Sequence, residues 1–301
     1  MGHFFRALNI VFFLKKKEKD CILTINYDKN SIDLLEEKRL KYIVLDYDNL
    51  DADWAKKIVE EYDVSLWILD MFETNFRIAQ DIKKEEIYLA AIDDRGSGAE
   101  FVDFHFCGML YGCKSGHHIY EGKDYLILNS EIDEYKRVRK NLKKIIVTLG
   151  GSDTYGVTVK VIKILKKLNQ YADIVVGPNF SHMKELQNEI CDGFNVFVSV
   201  PSLIKKMSEY DLAITGGGVT CFEANAMGLP AIIIANELHE IGLAKYLEGF
   251  GGAIFAGYYE NIDESVFDYA LLDIKDMSQK ALNNIDTKGL DNIYKIIEEY
   301  I

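Results

Sequence analysis

Two stretches in the second half of the chain combine glycines, hydroxyls and carboxylates at spacings that can hold an anion. Residues 145–158 read IIVTLGGSDTYGVT, an apolar run entering Gly150, Gly151, Ser152 and Asp153 before a helical pattern opens. Residues 211–230 read DLAITGGGVTCFEANAMGLP, with Gly216, Gly217 and Gly218 ahead of Val219 and Thr220, and with Glu223 expected on the first turn of the helix. Glycines let the backbone approach a ligand closely, and free amides at a helix start favour a phosphate. Either stretch alone would also read as a tight strand-to-helix turn. Two of them in one half, both at carboxyl ends of strands, point to one shared ligand crevice. A carboxylate at Glu223 could accept both hydroxyls of a ribose, or could offset a helix dipole. Between the two stretches a strand ends at Gly177-Pro178, which places backbone groups at a rim where they can read the edge of a base. His182 follows, and by itself reads as an exposed loop histidine.

The elements that must position these groups are short β-branched runs alternating with helical patterns, the signature of βαβ units and parallel sheets. Strands are expected at residues 21–25, 42–45, 66–69 and 87–92, then at 144–149, 174–176, 196–198, 212–215 and 231–235. Helices are expected at 157–168 and 222–227. A chain of 301 residues fits two such domains, here 1–135 and 136–301. The junction falls in the charged segment 130–141, which reads as an exposed helix or linker with little apolar face to bury.

Composition narrows the function. The chain carries 35 basic against 48 acidic residues, a net charge of -13, so a nucleic-acid backbone is an unfavourable partner and small metabolites fit better. The 5 cysteines are odd in number and scattered, which suits a reducing compartment and a cytoplasmic location. The apolar N-terminal stretch 4–14 is followed by Lys15, Lys16 and Lys17, the reverse of a signal peptide. No apolar run approaches the length of a membrane span, so no stable membrane insertion is expected. His105, Cys107, Cys113, His117 and His118 lie close together but lack structural zinc spacing, and a strand and loop near the crevice is the better reading. Asp46-Tyr47-Asp48 reads as a solvated turn. No metal and no cofactor is called for. The absence of a G-x-S-x-G elbow and of a P-loop lysine argues against serine hydrolases and ordinary ATPases.

The order GGSD, then GP with a following histidine, then GGG-x-T-x-x-E-x-x-x-x-G-L-P resembles the C-terminal half of the UDP-sugar hydrolase of pseudaminic acid biosynthesis. That enzyme is similar to the spore-coat-polysaccharide-type predicted glycosyltransferases and, more distantly, to the N-acetylglucosaminyltransferase of peptidoglycan synthesis. The resemblance implies a GT-B fold, an α/β architecture of two Rossmann-like domains facing a cleft. It also implies UDP in the C-terminal domain, with phosphates over the glycine turns and the ribose at Glu223. In the first half, Gly2-His3-Phe4-Phe5-Arg6-Ala7-Leu8 matches the family's G-H-x-x-R-x-L, in which the histidine lies beside the sugar. Asp70, followed by Met71-Phe72, and Asp94 match its strand ends. The family carries a strand and glycine turn before G-H, so the N-terminal domain is expected to lack its first strand. Its Asn-Gln pair after G-L-P is replaced by Glu237-Leu238, and the proline after GGSD is Thr154.

The expected activity is hydrolysis of a UDP-linked amino-deoxy sugar by water attack at the anomeric carbon, inverting as the resemblance implies, in surface-polysaccharide or pseudaminic-type acid synthesis. His3 is the expected base. Gly2, Arg6, Asp70, Asp94, Gly150, Gly151, Ser152, Asp153, Gly177, Pro178, His182, Gly217, Gly218, Thr220 and Glu223 are expected to bind the substrate. A glycosyltransferase using a UDP-sugar donor, or an impaired UDP-sugar-binding protein, would share this reading.

Overall fold

The computed structural model describes residues 2–109, 116–151 and 153–301. The chain forms two compact units, one of Met1–Ile127 with Lys288–Ile301 and one of Leu128–Thr287. This differs from the expected division at both ends of the second domain. The last helix, Gly289–Ile297, belongs to the first unit because Ile293 and Ile297 are buried in a cluster with Ile10, Ile92, Phe104 and Phe106.

The segment 130–141 is neither a long helix nor an exposed linker. It opens with a 3-10 turn, Ser130–Tyr135, and buries both Ile132 and Arg139 completely. Arg139 donates from Nε to the Tyr210 carbonyl at 3.3 Å and from Nη1 to the Arg137 carbonyl at 3.0 Å and to that of Met227. The guanidinium is buried against carbonyls instead of carboxylates, so burial, with the nearby Arg137 charge adding to it, pushes its pKa down to about 9. A charged segment looked solvated in sequence because two of the three carbonyls that take its charge, those of Tyr210 and Met227, come from elsewhere in the chain.

In the first unit, helix α1 (Gly2–Lys16) precedes strands β1 (Leu23–Ile25), β2 (Tyr42–Val44), β3 (Leu66–Leu69), β4 (Tyr88–Ile92), β5 (Phe104–Cys107) and β6 (His118–Glu121). Helices α2 (Lys29–Glu37), α3 (Trp54–Tyr62) and α4 (Phe76–Lys83) make the crossovers. Trp54 and Trp67 pack edge to face at 5.5 Å within its core. The strands form two separate parallel sheets, β1-β2 and β3-β4-β5-β6. One edge of β1 and one of β3 thus have no neighbouring strand among the described residues, and a cavity of about 720 Å³ lies between them. Phe4, Ala7, Val11 and Leu14 of α1 also line that cavity. The start of α1 meets the carboxyl end of β3, where His3 bonds to Asp70. A parallel strand in the slot would therefore end beside Gly2.

A fused segment of about five β-branched residues and a short turn ahead of Gly2 is expected to raise the melting temperature by about 5 °C. It should also slow amide exchange in β1 and β3. A fusion that changes neither would show that the slot does not accept a strand.

The second unit holds β7 (Ile145–Thr148), α5 (Val157–Lys167), β8 (Asp173–Val176), α6 (Met183–Glu189), β9 (Asn195–Val198), α7 (Leu203–Met207) and β10 (Leu212–Gly216). It continues with α8 (Val219–Ala226), β11 (Ala231–Ala235), α9 (Leu238–Glu248), β12 (Ala253–Tyr258), β13 (Asn261–Ile262) and α10 (Ile274–Asn284). Its sheet order is β13-β12-β11-β10-β7-β8-β9, parallel except for β13. The order reverses between β7 and β10, whose pairing runs from Leu212 opposite Ile145 to Thr215 opposite Thr148. Crevices that take ligands form at such reversals, at the carboxyl ends of the strands. Among the described residues no helix is long and apolar enough to cross a membrane.

Candidate functional site

Both glycine turns lie at that reversal, because one follows β7 and the other ends β10. The GP turn after β8 joins them. A Cβ on Gly177 would lie 2.2 Å from the Gly151 carbonyl oxygen, so the two backbones touch and only glycine permits it. Gly150 has φ +93, the left-handed region that favours glycine, and nothing lies within 4 Å of a Cβ built there. Ser152 lies outside the described residues, and Pro178 is exposed at the rim.

Asp153 is a correction. Its carboxylate is buried and accepts from the amides of Val157 and Thr158, both at 2.8 Å. It caps α5 and fills the anion position there, so no phosphate can take those amides. His182 is half-buried, not exposed. Its Nε2 donates to the Thr154 carbonyl at 3.2 Å and its ring packs against Gly156, which pins the loop after Asp153.

The second turn differs from the first. Among the described residues no side chain caps the start of α8, and Gly218 and Thr220 are half-buried there. Glu223 falls on the second turn of α8, since the helix opens at Val219, and is too deep to serve mainly as a dipole partner. It is half-buried. Burial raises its pKa to about 7, opposed by the Asn129 amide and assisted by the Glu131 charge. Among the described residues Thr215 Oγ1 and Asn236 Oδ1 are buried without a hydrogen-bond partner, at the ends of β10 and β11. Buried polar atoms are ordinarily paired, so these two are consistent with a polar ligand or water completing the crevice.

The first unit, taken by itself, holds a charged cluster. Arg6, on α1, donates from Nε to Asp70 Oδ2 at 2.8 Å and from Nη1 to Asp93 Oδ2. His3 Nδ1 lies 2.7 Å from Asp70 Oδ1, and the Met109 amide donates to Asp93 at 2.8 Å. Burial opposes the charge on Asp70, but bonds from Arg6 and His3 outweigh it and hold its pKa below the ordinary range. Burial raises that of Asp93 despite Arg6. An ionised carboxylate can only accept, so with Asp70 as the nearer partner of Nδ1, and Arg6 Nη2 3.3 Å from the same nitrogen, the Asp70 bond places a proton on Nδ1 and in the neutral ring leaves the lone pair on Nε2. The His3 side chain is 42% exposed while those of Arg6 and Asp70 are nearly covered. Phe72 meets its ring edge-on at 6.3 Å, with Arg95 4.0 Å over the Phe72 ring.

Asp94 was expected at the substrate and is not accessible. It is 1% exposed, and its oxygens accept from Thr74 and from the Gly96 amide. Its neighbour Asp93, which sequence reasoning passed over, faces Arg6 instead, with φ 50 turning the chain. Of the zinc candidates, Cys113 lies outside the described residues, and His105 is fully buried with Nε2 accepting from the Asp94 amide at 3.2 Å. Among the described residues no three His, Cys, Asp or Glu side chains gather as a metal site. Asp46 accepts from the Asp48 amide at 3.1 Å in a local turn.

No family model matches the chain. It is 22% identical to the spore coat polysaccharide biosynthesis protein SpsG of Bacillus subtilis, over 99% of this chain and 94% of that protein. It is 26% identical to an uncharacterized protein of Methanocaldococcus jannaschii, over 82% of this chain but 56% of that one. Among solved structures it is similar to MurG of Acinetobacter baumannii, with TM-score 0.71 and 14% identity over 99% of this chain and 96% of that chain. It is likewise similar to MnaA of S. aureus, solved with UDP, with TM-score 0.67 and 11% identity over 99% and 94%. The Anabaena protein Alr3699/HepE, solved with UDP and glucose, gives TM-score 0.65 and 10% identity over 100% and 96%. The fold is that of the GT-B glycosyltransferases.

Proposed function

We propose that this chain, a GT-B-fold protein similar along its length to a spore coat polysaccharide biosynthesis protein, binds a UDP-sugar and hydrolyses it to UDP and free sugar. The observation that supports the reading is the start of α8 at the sheet reversal, which no side chain caps among the described residues. Gly218 and Thr220 are the proposed phosphate contacts and Glu223, on the next turn, the proposed ribose contact, while the Gly217 amide is held by Glu240. UDP in two of the similar structures supports the choice of nucleotide. Gly150, Gly151 and Gly177 form the adjoining rim, and Pro178 lies beside them. His3, oriented by Asp70 and Arg6, takes the proton as water attacks the anomeric carbon. The bond to the diphosphate breaks, and helix amides stabilise the departing anion. An amino-deoxy sugar is the proposed donor group.

A glycosyltransferase would use the same nucleotide site with a hydroxyl in place of water, and the fold favours that second reading. Incubation with a panel of UDP-sugars in EDTA, with and without acceptors, separates them. Free sugar without acceptor supports the hydrolase, and turnover only with acceptor supports the transferase. Retention without turnover in either condition would leave a binding protein.

Glu223→Ala is expected to weaken UDP-N-acetylglucosamine binding by about 1–3 kcal/mol, through loss of a charge-assisted bond to the ribose. Because the Glu223 pKa is raised to about 7, the accepting carboxylate form grows as pH rises through that value. Wild-type affinity should therefore increase from about pH 6 to about pH 8, and Glu223→Gln should flatten the slope. Calorimetric titration giving equal affinities and slopes for both proteins would remove Glu223 from the site.

A further inference from the structure

The glycine turn at α8 already carries a negative group. Glu240, in the first turn of α9, accepts through Oε2 from the amides of Gly217 at 3.3 Å, Asn236 at 2.7 Å and Glu237 at 3.4 Å. A Cβ on Gly217 would lie 2.6 Å from the Cβ of Glu240, so the turn is closed tightly onto this side chain. Its other oxygen, Oε1, lies 3.8 Å from the position of a Cβ on Gly218. Glu240 is half-buried, so solvent screens its charge only in part.

We propose that Glu240 is a specificity-determining residue of the diphosphate site, disfavouring free UDP more than a UDP-sugar. The proposal rests on the reading that the phosphates lie over the α8 turn. A UDP-sugar presents a diphosphate closed at both ends, whereas free UDP carries a terminal phosphate with a further ionisable oxygen. At pH 8 that oxygen is charged, and a carboxylate at the same turn repels the additional charge directly. In the hydrolytic reading, the carboxylate promotes product release. It also supplies the acceptor that holds the Gly217 amide while no ligand is bound.

The discriminating variant is Glu240→Gln, which keeps an oxygen able to accept from the same three amides and removes the charge. Calorimetric titrations with UDP and with UDP-N-acetylglucosamine at pH 8 and low salt compare it with wild type, after melting curves show both proteins folded. The variant is expected to bind UDP about tenfold more tightly and the UDP-sugar about threefold more tightly, with both gains shrinking in high salt. In a turnover assay, inhibition by added UDP should strengthen in parallel. Glu240→Ala should move UDP affinity in the same direction even though it loses the acceptor. If wild type binds UDP and Glu240→Gln binds it equally or more weakly, Glu240 serves the fold alone and the proposal fails. Equal gains for the two ligands would also overturn it, since no discrimination would then reside in the charge. Binding of neither ligand by either protein would remove the uridine-nucleotide reading itself, and the role of Glu240 with it.

Discussion

Replacing His3 by alanine is expected to lower UDP-sugar hydrolysis by about 10²- to 10⁴-fold, the range of a lost general base. UDP affinity should stay within about twofold, because His3 belongs to the first unit and the α8 turn to the second. The expectation follows from how the ring is held. Asp70 accepts from Nδ1 at 2.7 Å, Arg6 fixes Asp70, and the neutral ring then carries its lone pair on Nε2, in a side chain that is 42% exposed. Asp70→Asn tests that chain of support separately. An amide can donate to Nδ1 and so favour the other tautomer, which would take the lone pair away from the open side. Single-turnover rates across pH for wild type, His3→Ala and Asp70→Asn are the measurement. If all three hydrolyse a UDP-sugar equally fast, the base lies elsewhere and the cluster around Arg6 is structural.

The second large effect concerns stability. Arg6 is 7% exposed and neutralises two carboxylates, Asp70 at 8% and Asp93 at 2%. Removing the cation leaves both acids buried with only the His3 bond to Asp70 and the Met109 amide bond to Asp93, so Arg6→Leu is expected to cost about 3–5 kcal/mol at neutral pH. The sign of the pH dependence is fixed by the carboxylates. Without Arg6 their folded-state pKa values rise above the unfolded value, so the variant loses stability as pH rises and regains part of it in mild acid. The gap between wild type and Arg6→Leu should therefore narrow toward about pH 4. Arg6→Leu combined with Asp93→Asn should recover part of the loss at neutral pH, because one of the stranded charges is gone. Urea unfolding followed on the first unit is the measurement. A loss below about 1 kcal/mol would mean that solvent reaches the cluster and compensates it.

The strand runs that alternate with helical patterns were legible because a buried parallel strand needs consecutive β-branched or aliphatic residues bounded by turns. Thus Leu66–Leu69, Leu212–Gly216 and Ala231–Ala235 stand within a residue of where periodicity places them. Around His105 and Cys107 the strand-and-loop reading, preferred there to a metal, stands as β5, while β12, which follows Gly251 and Gly252, was passed over. The glycine turns at the ends of β7 and β10 were legible too, since close backbone approach and a helix start leave marks in residue type and spacing, whereas Glu223 stands one turn deeper in α8 than expected. Among the described residues β1-β2 and β3-β4-β5-β6 are separate sheets, in keeping with the gap that the resemblance led one to expect.

What sequence determined, then, was the alternation of elements and the chemistry available at their ends, because both depend on local residue type. Which carboxylate does which work was decided by tertiary structure alone. Asp93 and Asp94 are adjacent in sequence, yet one binds Arg6 while the other is consumed by Thr74 and Gly96. Asp153 looked like a ligand group in the GGSD turn and proved to be the cap of α5, a choice made by where the α5 amides point. Glu240 closes a capping box with Glu237 at the start of α9, a local pattern that says nothing of Gly217. It reaches the Gly217 amide because β10 and β11 are neighbours in the sheet, which brings the start of α9 against the start of α8. Hydrogen bonds between residues distant in the chain compete for each carboxylate, and only the packed structure determines which donors arrive.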